Sequence, residues 1–86
     1  MKTYELPVVN DRSKSFYGKA YVCEVGDEKI LRSYGTDVCK IDSKGNVIRL
    51  WDGYSATTMR HINNFLALFN VEGGGKSWWD KLEVNR

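Results

Sequence analysis

Residues 49–69, RLWDGYSATTMRHINNFLALF, decide the fold, because a strand ends and a helix begins inside them. Arg49 to Trp51 close a β-rich segment, and Asp52-Gly53 makes a turn. Ser55 then has the side chain of an N-cap, able to accept from a free amide of the first helical turn. Beyond it Met59, Ile62, Leu66 and Phe69 recur at three- and four-residue spacing, with Phe65 and Leu68 beside them, so the helix carries one apolar stripe. From Tyr4 to Trp51 the sequence alternates with period two between short turn signals, the pattern of an antiparallel meander. The expected architecture is therefore α+β: a β-meander of about four to five strands packed on one main α-helix. After that helix, Gly73-Gly74-Gly75 is a joint, and Ser77 can cap a short C-terminal helix whose Trp78 and Trp79 must bury or bind.

Within the meander, residues 2–9 form a first strand, Asn10 to Ser15 a polar loop expected to be mobile, and Phe16 to Val25 a second strand. Gly26-Asp27 fits a type II′ hairpin with glycine first. That turn sets Glu24 opposite Lys29, Cys23 opposite Ile30, Val22 opposite Leu31, Tyr21 opposite Arg32 and Lys19 opposite Tyr34, which joins opposite charges and apolar pairs. Gly35 turns the chain into a fourth strand, Thr36 to Ile41, and Asp42 to Gly45 reverses it into a fifth, Asn46 to Trp51. The simplest register of this last hairpin pairs Lys40 with Arg49. A left-handed Gly45 would add a bulge and change it.

In the simplest register the alternation sorts side chains onto two faces. Ala20, Val22, Leu31, Cys39, Ile41, Ile48 and Leu50 form the seat for the helix. Lys19, Tyr21, Arg32, Tyr34, Lys40, Arg49 and Trp51 project from the other face. Cations interleaved with rings suit phosphates and bases, or an acidic protein patch gripped by stacking and cation–π contacts. A solvated polar face is the plain alternative. Arg60 and His61, in the first turn of the helix, form a second candidate patch.

The 86 residues suit a single domain, 1–86, and the composition, 42% hydrophobic and 28% charged, is that of a globular chain. A net charge of +2 is weak for a dedicated polyanion binder. No apolar stretch resembles a signal peptide or a membrane span, and Cys23 and Cys39 show no CxxC and no flanking histidine. The expectation is a protein with reduced thiols in a reducing cytoplasm, with no metal, no cofactor and no membrane partner. Gly75-Lys76-Ser77 matches the end of a phosphate-binding loop, but Asn70 stands where the first glycine belongs and a helix precedes it. His61, the only histidine, lies in no HExxH, HxH or GxSxG pattern, so no catalytic residue is assigned.

Residues 33–66, SYGTDVCKID…VIRLWDGYSATTMRHINNFL, resemble a small uncharacterised domain encoded by phages and mobile elements of Gram-positive bacteria. Its pattern is similar to SYxTxVxxID, a strand ending W-x-G, and [YW]SATTxRHINxFL. The resemblance covers about two fifths of the chain, leaves the first 30 residues outside, and implies context without chemistry. Small phage proteins of this kind commonly act by occupying a host machine, as anti-CRISPR inhibitors do. The expected function is a non-enzymatic binding protein that docks on a bacterial host protein or nucleoprotein, such as a defence nuclease, through Tyr21, Arg32, Tyr34, Arg49 and Trp51. The alternative is DNA or RNA binding through the same face. A third possibility is self-association through Trp78, Trp79 and a strand edge, and the expected state is a monomer or weak dimer.

Overall fold

Turn chemistry sets each hairpin of the sheet. In the computed structural model, which describes residues 1–9, 11 and 14–85, five antiparallel strands lie in sequential order. They are β1 (Lys2–Glu5), β2 (Ala20–Val25), β3 (Glu28–Ser33), β4 (Thr36–Ile41) and β5 (Val47–Arg49). Helix α1 (Ala56–Leu68) and the short α2 (Gly75–Lys81) follow. The fold is α+β, with all five strands present. Gly26, at φ 59, opens the β2–β3 turn, and the register behind it is the expected one: Glu24 opposite Lys29, Val22 opposite Leu31, Tyr21 opposite Arg32. Among the described residues no helix is long and apolar enough to cross a membrane.

Both ends of α1 are closed by local chemistry. Ser55 Oγ accepts from the Thr58 amide at 3.1 Å, a cap contributing about 1 kcal/mol. At the other end Asn70 sits in the left-handed region, φ 57, while the Val71 amide donates to Leu66 O at 2.8 Å and the Asn70 amide to Ala67 O at 3.2 Å. Those two bonds form a Schellman cap that stops the helix. Ile62, Phe65 and Leu66 pack with Val22, Leu31, Cys39 and Ile41 in one core. Burial in that core pushes the Cys39 thiol pKa up, while Cys23 is half-exposed, and both cysteines are free.

Two strands are shorter than expected. β1 ends at Glu5; the Leu6 amide still donates to Ala20 O at 2.9 Å, but Pro7 has no N–H and the chain leaves the sheet. The departing segment is strapped to α1 by the fully buried Asn64, whose Nδ2 donates to Pro7 O at 2.6 Å and whose Oδ1 accepts from the Val9 amide at 2.9 Å. Of the polar loop, Asn10, Arg12 and Ser13 lie outside the described residues. β2 starts at Ala20 because Phe16 to Lys19 folds into a tight turn, with the Lys19 amide on Phe16 O at 3.0 Å and positive φ at Tyr17 (54) and Gly18 (74). The β3–β4 turn has the same form at Tyr34 (51) and Gly35 (80). Each tyrosine in this region costs on the order of 1 kcal/mol that glycine would avoid.

The β4–β5 register is the main departure from the sequence reading. The Asp42 amide donates to Asn46 O at 2.9 Å, Asp42 Oδ1 accepts from the Lys44 and Asn46 amides, and Gly45 takes φ 87. These backbone bonds, led by the one from Asn46, also hold the Asp42 carboxyl below its ordinary pKa. Three residues thus separate the closing pair, and Lys40 meets Ile48 while Cys39 meets Arg49. A one-residue slip exchanges the faces of a strand. Arg49 and Trp51, expected on the open face, lie on the helix side; Ile48 and Leu50, expected in the core, lie half-buried outside it.

Arg49 is 7% exposed and is fully used. Its Nε donates to Trp51 O at 2.8 Å, Nη1 to Trp79 O at 2.7 Å and Nη2 to Gly53 O at 3.2 Å, and the guanidinium lies 4.4 Å from the Trp79 ring centroid. Trp79, wholly buried, also donates Nε1–H to Gly53 O at 3.0 Å. Trp51 covers Gly53 so closely that a Cβ there would stand 2.5 Å from its ring, which is why W-x-G needs glycine. The tail then pairs Val84 beside Arg49, with the Asn85 amide on Arg49 O at 2.7 Å. Trp79 therefore buries within its own chain, and the β5 edge is covered.

Removing Arg49 takes a donor from three carbonyls, leaving Gly53 O to Trp79 Nε1–H and Trp79 O to the Leu82 amide, and strips the cation from one face of Trp79. Arg49→Ala is expected to lower the unfolding free energy by about 3 kcal/mol, measured by urea denaturation, whereas Arg32→Ala leaves the midpoint unchanged. Equal effects from the two substitutions would contradict the assignment of Arg49 to the interior.

Candidate functional site

With both helices on one side of the sheet, the opposite side is uncovered. Tyr21 and Arg32 lie paired across β2 and β3, as expected, and Lys40 stands on the same face beside Ile30 and Ile48. Cys23 pairs with Ile30 and Thr3 with Cys23, so one row across the sheet runs Thr3, Cys23, Ile30, Lys40 and Ile48, with Lys40 between the two isoleucines. The cations Arg32 and Lys40 are neutralised. Arg32 Nε meets Asp37 Oδ1 at 2.9 Å, and Lys40 Nζ meets Glu28 Oε1 at 3.5 Å. The hydrogen bond to Asp37 and its charge raise the Arg32 pKa further. At the β1 end the face deepens into a groove of ≈ 500 Å³, lined by Met1, Thr3, Tyr21, Cys23 and Arg32, with Gly18, Lys19 and Gly35 at its mouth.

The remaining expected site residues are divided among other places. Lys19 and Tyr34 stand where β2 and the β3–β4 turn meet, with the Tyr34 amide on Lys19 O at 2.8 Å and Lys19 Nζ 5.8 Å from the Tyr34 ring centroid. Tyr34 leans toward α1, its ring 5.7 Å from that of His61, so it belongs to the rim and not to the flat of the open face. Arg60 is exposed but paired with Asp11, Nε to Oδ2 at 3.0 Å and Nη2 to Oδ1 at 2.5 Å. Arg49 is in the interior, and Trp51 is half-buried against the core.

His61 is not a surface group. It is 2% exposed, its Nδ1 lies 2.8 Å from the buried Ser33 Oγ, and Ser33 Oγ lies 3.3 Å from Thr58 Oγ1. Phe16 meets the imidazole edge-on at 4.8 Å. Burial, then the charge of Arg60, lowers the His61 pKa, with Lys19 acting in the same sense and Asp11 opposing. The histidine expected in a second surface patch instead locks α1 to the β3–β4 hairpin. Ser33, Thr58 and Asn64 went unassigned by the sequence reading, because polar residues interrupt an apolar stripe without announcing their partners. Ile48 was missed for a readable reason: Asp42 and Asn46 flank Gly45 in the spacing of a bulged turn.

A family model described as a family of unknown function, DUF8033, matches residues 4–81. The chain belongs to this family. The DUF8033 match runs from Tyr4 in β1 to Lys81 at the end of α2, so it takes in the sheet, the Asn64 strap and the Arg49–Trp79 contact together. No curated protein and no solved structure matches the chain.

Because the folded His61 pKa lies below the ordinary 6.5, the unfolded chain binds the proton first on acidification. The contribution of neutral, buried His61 is complete above 6.5 and is lost as pH falls below it, levelling once the pH passes the lowered folded value. Urea midpoints are expected to drop through this window for the native chain and to change less for His61→Asn. A slope unaltered by the substitution would place the proton uptake elsewhere.

Proposed function

We propose that the protein is a small non-enzymatic binding protein that docks on a bacterial host protein or nucleoprotein through its uncovered sheet face and inhibits it. The resemblance of residues 33–66 to phage and mobile-element domains supports an anti-defence setting, in the manner of an anti-CRISPR inhibitor. The observation that carries the docking reading is the exchange made by the β4–β5 slip: Ile48 replaces Arg49 on the open face, in the row that also holds Lys40, Ile30 and Cys23. Apolar residues and an exposed tyrosine, with Arg32 and Lys40 held in ion pairs among them, have the composition of a protein interface, with aromatic and arginine anchors available.

The same exchange weighs against direct nucleic-acid binding. With Arg49 withdrawn and Arg32 and Lys40 paired to Asp37 and Glu28, phosphates would have to displace carboxylates already in place. Non-enzymatic action is supported by the sealing of Ser33 and His61, each 2% exposed, which keeps that hydroxyl–imidazole pair from substrate.

Capture from a bacterial lysate tests the face. Tyr21→Ala/Ile48→Lys is expected to lose partners that the native chain retains, with its thermal midpoint unchanged. An unchanged set of partners would sink the assignment. Gel shifts with DNA and RNA at low salt are expected to be negative, whereas binding that weakens steeply with salt, by ~0.9 log units per phosphate per log unit of salt on duplex DNA, would favour the nucleic-acid reading.

A further inference from the structure

Two exposed turns that share a central Tyr-Gly pair stand side by side, each giving its glycine to the lining of the groove, and both break a local rule in the same way. Phe16-Tyr17-Gly18-Lys19 and Ser33-Tyr34-Gly35-Thr36 each place a Tyr-Gly pair at two successive positive-φ positions, the geometry of a type I′ turn. Asn-Gly and Asp-Gly suit that geometry, because a short polar side chain tolerates the left-handed region and a bulky ring does not. The departure is not compensated by burial: Tyr17 is 73% exposed and Tyr34 54%. Tyr34 recovers something by leaning on His61, but Tyr17 is tied, among the described residues, through its backbone amide, which donates to Ser15 Oγ at 3.0 Å. Strain kept at exposed positions, where a cheaper residue would fold better, points to a use for the side chain.

The turns touch, through the Tyr34 amide on Lys19 O, and between them stands Lys19, exposed and, among the described residues, without a carboxylate partner. Below them the groove is lined by Thr3, Tyr21, Cys23 and Arg32. We propose that the paired Tyr-Gly turns are the anchors of the docking surface and that their occupant is an extended acidic and apolar segment of a partner protein. Its carboxylate meets Lys19 between the two turns, and its apolar side chains enter the groove beside Thr3, Tyr21 and Cys23. The proposal rests on the binding reading above and deepens it by naming the partner's chemistry. A protein segment is favoured over a nucleic-acid strand because Arg32, which lines the groove, and Arg60 already hold Asp37 and Asp11.

Asparagine is the diagnostic substitution, since it removes the ring and relieves the turn. Tyr17→Asn is expected to keep or raise the thermal midpoint; a lower midpoint would make the tyrosine structural and overturn the proposal. The full ¹⁵N-labelled chain is then titrated with a short peptide alternating Glu with Leu and Phe, the same peptide with Lys for Glu, and a single-stranded DNA oligomer. Amide shifts at Tyr17 to Lys19 and at Tyr34 and Gly35 are expected with the acidic peptide, with affinity about tenfold weaker in Tyr17→Asn/Tyr34→Asn. Should the double variant unfold, Tyr17→Asn alone carries the binding readout. Tightest binding by the Lys peptide or by DNA, shifts confined to other residues, or no shifts would each overturn the proposal. Lysate capture separates the two levels: partners held equally by native chain and variant refute these anchors alone, and a native chain that captures nothing refutes the binding reading with them.

Discussion

The guanidinium of Arg49 is the contact on which the C-terminal third of the chain depends. One side chain satisfies carbonyls of Trp51, Gly53 and Trp79 and stacks on the Trp79 ring, joining the end of β5, the turn before α1, and α2. Burying a guanidinium is tolerable only when its donors are occupied, and here backbone oxygens supply the acceptors with no carboxylate involved. Gly53 matters for a related reason. Its carbonyl takes bonds from both Arg49 and Trp79, and its missing side chain lets Trp51 close over it.

That arrangement determines what the outer surface can be. A five-stranded meander with both helices on one side must leave the other side to solvent or to a partner. The turn at Asp42–Asn46 decides which residues of β5 it presents. Had the hairpin closed one residue differently, the face would carry Arg49 and Trp51, and phosphate recognition would be the natural reading. As folded, it carries Ile48, with Arg32 and Lys40 in ion pairs, so the proposed protein docking fits better than a polyanion.

The SATTMRHINNFL stretch, distinctive enough to suggest chemistry, is explained largely by assembly. Ser55 caps α1, Thr58 and His61 bond Ser33 across the sheet, Arg60 holds Asp11, Asn64 straps the segment after β1, and Ile62, Phe65 and Leu66 fill the core. Ser55, Thr58, Arg60, His61 and Asn64 of that stretch are consumed by contacts within the chain, while Thr57 and Asn63 are exposed. The residues with freedom to act lie on the sheet face and its two strained turns.

The local sequence by itself determined the elements and most of their pairing. The period-two alternation, Gly26-Asp27, and the Ser55 cap with its apolar stripe led to the strands, the β2–β3 register and α1, because turns, caps and periodicity act over a few residues. It also placed Tyr21, Arg32 and Lys40 on one face. Only the tertiary structure decided that Arg49 and Trp51 turn inward, that His61 is buried against Ser33, and that Tyr34 belongs to the rim. Side-chain facing follows from register, and register in the last hairpin turned on a single left-handed glycine. Whether a buried polar group is satisfied depends on partners distant in the chain, as Arg49 and Trp79 are, so no local pattern could specify it.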